Sequence, residues 1–225
     1  MAKHLKTFFL GVLAGLAISL GSFLFILTKT IFDGIPGAIL ASALFSVGLI
    51  LVCIFGLNLY TGKIGVFLDV YEKIKENSIN LPIILLGNAV GAIGIGALLH
   101  CFALIEVDWM QKFFNTAMSV SGNKVLSHYV VLEGIFCGAL VYIAVYLFKN
   151  LENWAMKIIG IIVSVTLFVY CGFQHCIANM FYFALTFDLG VWDYWANILI
   201  VILTNSVGAL LVRCLVHLAA IIKQK

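Results

Sequence analysis

The chain has 225 residues, of which 64% are hydrophobic and only 10% charged, and its mean hydropathy is +1.15. A soluble domain of this size has no use for so much apolar surface, so the composition excludes an ordinary globular enzyme or binding module and predicts an all-α membrane protein. The formal net charge is only +3, and the basic residues are scattered through short loops, which leaves no footprint for nucleic acid.

Charge-free runs mark six spans in chain order: 7–28, 34–62, 77–105, 134–148, 158–187 and 194–212. About 20 apolar residues cross a bilayer as a helix, so each run is a transmembrane helix of a single transmembrane domain covering 1–225. The fourth reaches back to Val125 if Glu133 is tolerated. The first run is too long for a signal-peptide core and is read as a retained helix. Six spans put both termini on one side. With the termini in the cytoplasm, ten of the thirteen Lys and Arg residues face inward, including Lys63, Lys73, Lys149 and Lys225, while Lys29, Lys112 and Lys124 face outward.

The second and fifth spans are too long to be plain helices. Residues 36–71 would extend about 54 Å at 1.5 Å per residue, against a hydrocarbon core of about 30 Å. Its interior reads Gly56-Leu57-Asn58-Leu59-Tyr60-Thr61-Gly62-Lys63. The stretch 154–187 is similarly long and holds Gly172-Phe173-Gln174-His175-Cys176-Ile177-Ala178-Asn179. Both are predicted to be helices broken at a polar, glycine-containing loop. Irregular backbone survives at membrane depth only where it lines a cavity or is buried in protein.

An internal repeat links the two breaks. Gly11-x-x-x-Gly15 returns as Gly134-x-x-x-Gly138, an offset of 123. Asn88-x-Val90-Gly91-Ala92 returns as Asn205-x-Val207-Gly208-Ala209, an offset of 117, and Thr61 precedes His175 by 114. Residues 1–106 and 125–225 thus read as two copies of a three-helix unit. An odd number of crossings per copy makes the copies inverted, the arrangement that marks a transport pathway. Gly11, Gly15, Gly87, Gly91, Gly134 and Gly208 also have a plain packing role, since small residues spaced by four let helix backbones approach closely.

His175 is the only histidine central in a broken span, and a polar group at that depth faces protein or water. Its ordinary pKa of about 6.5 suits a proton-exchange group. Asn179 follows one turn later on the same helical face, and Thr61 stands as the counterpart of His175 in the other half. A histidine, an amide and a hydroxyl around one narrow place can bind a small polar solute. No carboxylate sits in either broken loop, whereas a metal-cation path wants acidic or carbonyl ligands. Half-helix N-termini, with a partial positive charge of about half a unit, lean the same way, towards anions or neutral solutes. Phe45, Leu49, Leu59 and Phe168 are either ordinary helix packing or apolar constrictions around that place. Lys124, beginning the fourth span on the outer side, is either a solvated loop lysine or a group that draws anions to the mouth. Glu133 is paired, protonated or facing an outer vestibule. His4, His100, His128 and His217 fall near span ends and read as interfacial or locally bonded. The six cysteines all lie in apolar runs without CxxC or zinc-like spacing, so neither a metal nor another cofactor is expected.

At these residues the chain resembles the formate/nitrite transporter family of bacterial anion channels. Gly172-Phe173-Gln174-His175-Cys176-Ile177-Ala178-Asn179-Met180-Phe181 is similar to its signature Gly-Phe-Glu/Gln-His-Ser/Cys-Ile-Ala-Asn-Met-Phe, and Leu59-Tyr60-Thr61-Gly62 resembles its Leu-Phe-Thr loop. The resemblance implies an aquaporin-like inverted repeat, a homopentamer with one pore per subunit, and a place in the bacterial inner membrane. It implies that His175 is the central histidine, Thr61 its hydroxyl partner and Asn179 the amide beside them. It further implies that Phe45 and Phe168 share one hydrophobic constriction, that Leu49, Leu59 and Val141 form the other, and that Lys124 is the vestibule lysine. Three departures stand out. Gly138 replaces a usual Asn, which predicts one missing polar pore contact. Lys63 places a cation near the inner mouth. Few residues precede Leu5, so gating by an amphipathic N-terminal helix is not expected.

The leading expectation is a channel or proton-coupled carrier for small monovalent anions of weak acids, of the formate, nitrite or hydrosulfide class, with protons and membrane lipid as the other partners. An aquaporin-like channel for neutral solutes is the alternative. A membrane enzyme using His175 with Cys171 or Cys176 as nucleophile is a third reading, weakened by the lack of an acidic orienter.

Overall fold

Long apolar runs with few helix breakers become long helices. The computed structural model describes residues 2–65, 74–104, 107–125, 127–187 and 191–223. Helices α1 (Ala2–Ile31), α2 (Gly34–Ile54), α3 (Tyr60–Lys63), α4 (Ile74–His100), α5 (Asp108–Val125), α6 (Val130–Asn150), α7 (Trp154–Tyr170), α8 (Cys176–Leu185) and α9 (Trp192–Lys223) follow one another along the chain. By length and composition, α1, α2, α4, α6 and α9 can each cross a membrane, whereas α7 and α8 are shorter apolar pieces. The six predicted spans correspond to α1, α2 with α3, α4, α6, α7 with α8, and α9, with the second and fifth broken. Lys73, Lys225, the Tyr71 end of the second long stretch and the boundary at 105–106 lie outside the described residues.

One element is missing from the sequence reading. The stretch read as an outer loop is helix α5, and α6 starts at Val130. Lys124 therefore closes α5 in its last turn instead of opening the fourth span. Asp108, Lys112 and Lys124 make α5 too polar to be a span, but Phe113, Phe114, Ala117, Val120 and Ser121 form a buried stripe at helical spacing. That stripe packs on α1 and α8, with the Phe113 ring 5.2 Å from that of Phe23.

The two halves pack alike. Helix α1 lies against α4 and α2, and α6 lies against α9 and α7. Glycines allow the contacts: a Cβ on Gly15 would meet the Asn88 carbonyl, and one on Gly138 would meet the Asn205 carbonyl. Likewise Gly91 faces the Val12 carbonyl and Gly208 the Ile135 carbonyl. Gly138 thus lies against α9, and its lack of a side chain serves that approach.

The breaks are built the same way, 116 residues apart. Gly56 and Gly172 take φ of +62° and +75°, a region that glycine enters without steric cost. Each is followed by a 2.9 Å bond that folds the chain back, Leu57 N–H to the Val52 carbonyl and Phe173 N–H to the Phe168 carbonyl. Leu59 and His175 then occupy the N-cap positions of α3 and α8 in the same extended conformation, φ −94°, ψ 128° and φ −107°, ψ 119°. The repeat partner of His175 is therefore Leu59, and that of Thr61 is Ile177. The sequence landmarks paired Thr61 with His175 two residues out of register.

Candidate functional site

Two asparagines hold the breaks in place. Asn88 on α4 accepts from the Tyr60 N–H at 2.8 Å and donates to the Gly11 and Asn58 carbonyls, each at 2.8 Å. Asn205 on α9 accepts from the Cys176 N–H at 3.0 Å and donates to the Gly134 and Gln174 carbonyls, each at 2.8 Å. Each side chain is fully buried and satisfies backbone groups that the break leaves open. The sequence reading noticed both asparagines only as repeat landmarks.

Between the breaks lies the polar pair. His175 Nε2 and Thr61 Oγ1 are 3.0 Å apart. His175 is 3% exposed and Thr61 0%. His175 also caps α8, because its Nδ1 accepts from the Ala178 N–H at 3.3 Å. A backbone N–H can only donate, so Nδ1 is the acceptor of the neutral ring, and the ring proton sits on Nε2 facing Thr61. The Phe168 ring stacks over the imidazole with centroids 6.1 Å apart and meets Phe45 edge-on at 5.8 Å.

Three cavities follow one another along α2. The first, about 420 Å³, is lined by Ala38, Ser42 and Phe45 of α2 together with Lys124, Glu133 and Asn179. The middle one is only about 10 Å³ and is walled by Phe45, Leu49, Leu59, Val141, Phe168 and His175 among others. That is about the smallest space that holds one water. The third, about 110 Å³, is lined by Val52, Cys53, Leu59, Lys63, Lys149 and others. Phe45 and Phe168 belong to the first and middle cavities, and Leu59 to the middle and third. The structure thus gathers the five apolar candidates around His175. Thr61 does not line these cavities and meets the ring at Nε2.

Asn179 lines the first cavity, where its amide is fixed by neighbours that the sequence reading did not single out. Its Nδ2 donates to Gln174 Oε1 at 2.8 Å and to Asn197 Oδ1 at 2.9 Å. Gln174 Nε2 donates to Glu133 Oε2 at 2.8 Å and to the Lys124 carbonyl at 2.9 Å. Asn197 Nδ2 reaches the same carbonyl at 3.1 Å. Glu133 is therefore paired, taking a further bond from the Ser127 hydroxyl at 2.7 Å. Lys124 Nζ donates to the carbonyls of Gly172 and Phe173 at 2.6 and 2.9 Å, which ties α5 to the second break. Among the described residues no group of three or more His, Cys, Asp or Glu side chains could hold a metal ion.

A large vestibule, an apolar pinch around a single imidazole and a second vestibule make the outline of a narrow conduit. A family model described as Formate/nitrite transporter matches residues 2–219. The uncharacterized transporter YrhG of Bacillus subtilis (strain 168) is 31% identical over 231 residues, spanning 94% of this chain and 83% of its own. The formate channel BtFdhC of Bacillus thuringiensis is 31% identical over 214 residues, spanning 88% and 80%. A solved pentameric formate channel with formate bound has the same fold, with a TM-score of 0.80 at 24% identity over 100% of this chain and 99% of that one. From the match over nearly its whole length, the chain belongs to the formate/nitrite transporter family.

Proposed function

We propose that the chain conducts small monovalent anions of weak acids, of the formate, nitrite or hydrosulfide class, with His175 linking passage to proton transfer. It acts as a homopentamer with one pore per subunit in a bacterial inner membrane, with both termini cytoplasmic. The cavity at Lys124 is then the outer vestibule and the cavity at Lys63 the inner one. The observation that carries the reading is the His175–Thr61 pair, 3.0 Å apart, set in an apolar pinch of about 10 Å³. An anion drawn into the outer vestibule by Lys124 meets Phe45 and Phe168, where its charge would be stripped of water at great cost. As Nδ1 takes up a proton from vestibule water in place of its bond from the Ala178 N–H, Nε2 passes its own proton to the anion, directly or through the Thr61 hydroxyl. The ring ends neutral, and the anion becomes a neutral acid that crosses the apolar rings cheaply. Asn179 frames the vestibule floor, and Leu49, Leu59 and Val141 form the second gate.

The test is pH-resolved flux through proteoliposomes for formate, nitrite, hydrosulfide, acetate, lactate and chloride. His175→Phe is expected to abolish proton-linked flux while the oligomer still assembles. Unchanged flux at every pH would sink the relay role. Passage of uncharged polyols at all pH values, with none of the anions, would assign the neutral-solute channel instead.

A further inference from the structure

Lys63 at the end of α3 and Lys149 in the last turn of α6 share the wall of the third cavity with Cys53, Leu57, Val145 and Phe148. They are close enough for their charges to act on each other. Among the described residues that wall holds no carboxylate, and neither ammonium has a hydrogen-bond or ion-pair partner. A third cation, Lys157, lies over the Phe148 ring, 5.3 Å from its centroid.

The opposite vestibule is arranged otherwise. There Lys124 is held by the carbonyls of Gly172 and Phe173 and shares the cavity with Glu133. The repeat partners of those two carbonyl residues, Gly56 and Leu57, line the third cavity too, but among the described residues no lysine is bonded to them. Two ammonium groups, the Lys63 one half-buried and the Lys149 one exposed, that share one small space repel each other unless an anion joins them.

We infer that this cavity is an anion-binding site, held by Lys63 and Lys149, that loads the pore from its own face. The inference rests on the anion-conducting reading above. At about 110 Å³, with a water taking about 30 Å³, the site holds one small monovalent oxyanion and a few waters. It excludes nucleotides and other large anions.

The test is formate flux in right-side-out and in everted vesicles of phosphatidylcholine, with the half-saturating concentration read from each face. Lys63→Gln and Lys149→Gln are each expected to raise it about fivefold from one and the same face, with the other face unmoved, while Lys63→Arg stays near wild type. Lys149 is exposed at a helix end, so its replacement leaves the fold intact and keeps the test decisive. A wild-type response that persists in both Gln variants, or a change equal from both faces, overturns the inference alone. A wild-type protein that carries none of the anions overturns the conduction reading and the inference with it. A shift that emerges only when phosphatidylglycerol is added assigns the lysines to lipid headgroups and also overturns the inference.

Discussion

The two breaks share a backbone and almost nothing else. Position by position, 116 residues apart, Asn58 answers to Gln174, Leu59 to His175, Thr61 to Ile177 and Lys63 to Asn179, while Gly56 and Gly172 keep the same turn. The glycine turn, the fold-back bond and the asparagine clamp recur because any chain that stops being helical inside a bilayer must satisfy its backbone. The side chains carried on that frame are free to differ. Each break contributes one member of the polar pair, a hydroxyl from the first turn of α3 and an imidazole from the cap of α8. Duplication thus supplied the scaffold, and the loss of side-chain symmetry supplied the chemistry.

The largest effect expected is on the clamps. Asn88→Leu strands the Tyr60 N–H and the Asn58 carbonyl, and Asn205→Leu strands the Cys176 N–H and the Gln174 carbonyl, at about 1–3 kcal/mol for each buried unsatisfied group. Both variants should lose the assembled oligomer or melt far below wild type in detergent. A protein that tolerates one and not the other would break the equivalence of the halves.

A smaller loss is expected from Gly138→Asn. The new Cβ would run into the Asn205 carbonyl, and overpacking of a tight contact costs about 1–3 kcal/mol. Gly15→Asn, at the matching contact with Asn88, should cost a similar amount. Thermal melting of the two variants checks this. If Gly138→Asn instead keeps its stability and changes anion selectivity, the position faces the pore after all.

Thr61→Val should separate chemistry from scaffold. It removes the Thr61 bond at His175 Nε2, a stability loss of about 1 kcal/mol, and with it the acceptor of the ring proton among the described residues. Anion flux should fall about a hundredfold, the lower end of what a lost proton-transfer partner costs, with assembly retained. Ile177→Val, the same trimming at the repeat position, should leave flux unchanged. Equal losses in both would mean that packing, and not the hydroxyl, matters at Thr61.

Much of this was legible in the sequence because it obeys simple rules. Two runs too long for one crossing, each with a glycine and an amide at its centre, had to be broken, and the glycine spacings had to be contacts. The polar candidates were legible because a histidine has few other reasons to sit in an apolar run. What escaped were relations through space. Helix α5 was lost because three charges outweighed its buried stripe, although Phe113, Phe114, Ala117 and Val120 carried the helical period. The Glu133–Gln174–Asn179–Asn197 network joins four segments and has no local signature. Thr61 and His175 match by chemistry, whereas the backbone of the repeat matches by turn and cap, two residues out of step with them.

The smallest expected effect concerns the residues next to that pair. Tyr60 and Cys176 are repeat partners whose N–H groups enter the clamps, and neither side chain lines the three cavities along α2. The Tyr60 hydroxyl reaches Ser206 on α9 at 2.9 Å, so Tyr60→Phe should cost about 1 kcal/mol of stability and leave flux where it was. The Cys176 side chain is fully buried, and Cys176→Ala should likewise spare flux, because a thiol that no solute can touch is not a nucleophile. Loss of activity on removing that thiol, with melting unchanged, would revive covalent chemistry at the second break. Unchanged flux in both variants would confine the working asymmetry to Leu59 against His175 and Thr61 against Ile177, the two positions on either side of the clamped N–H groups.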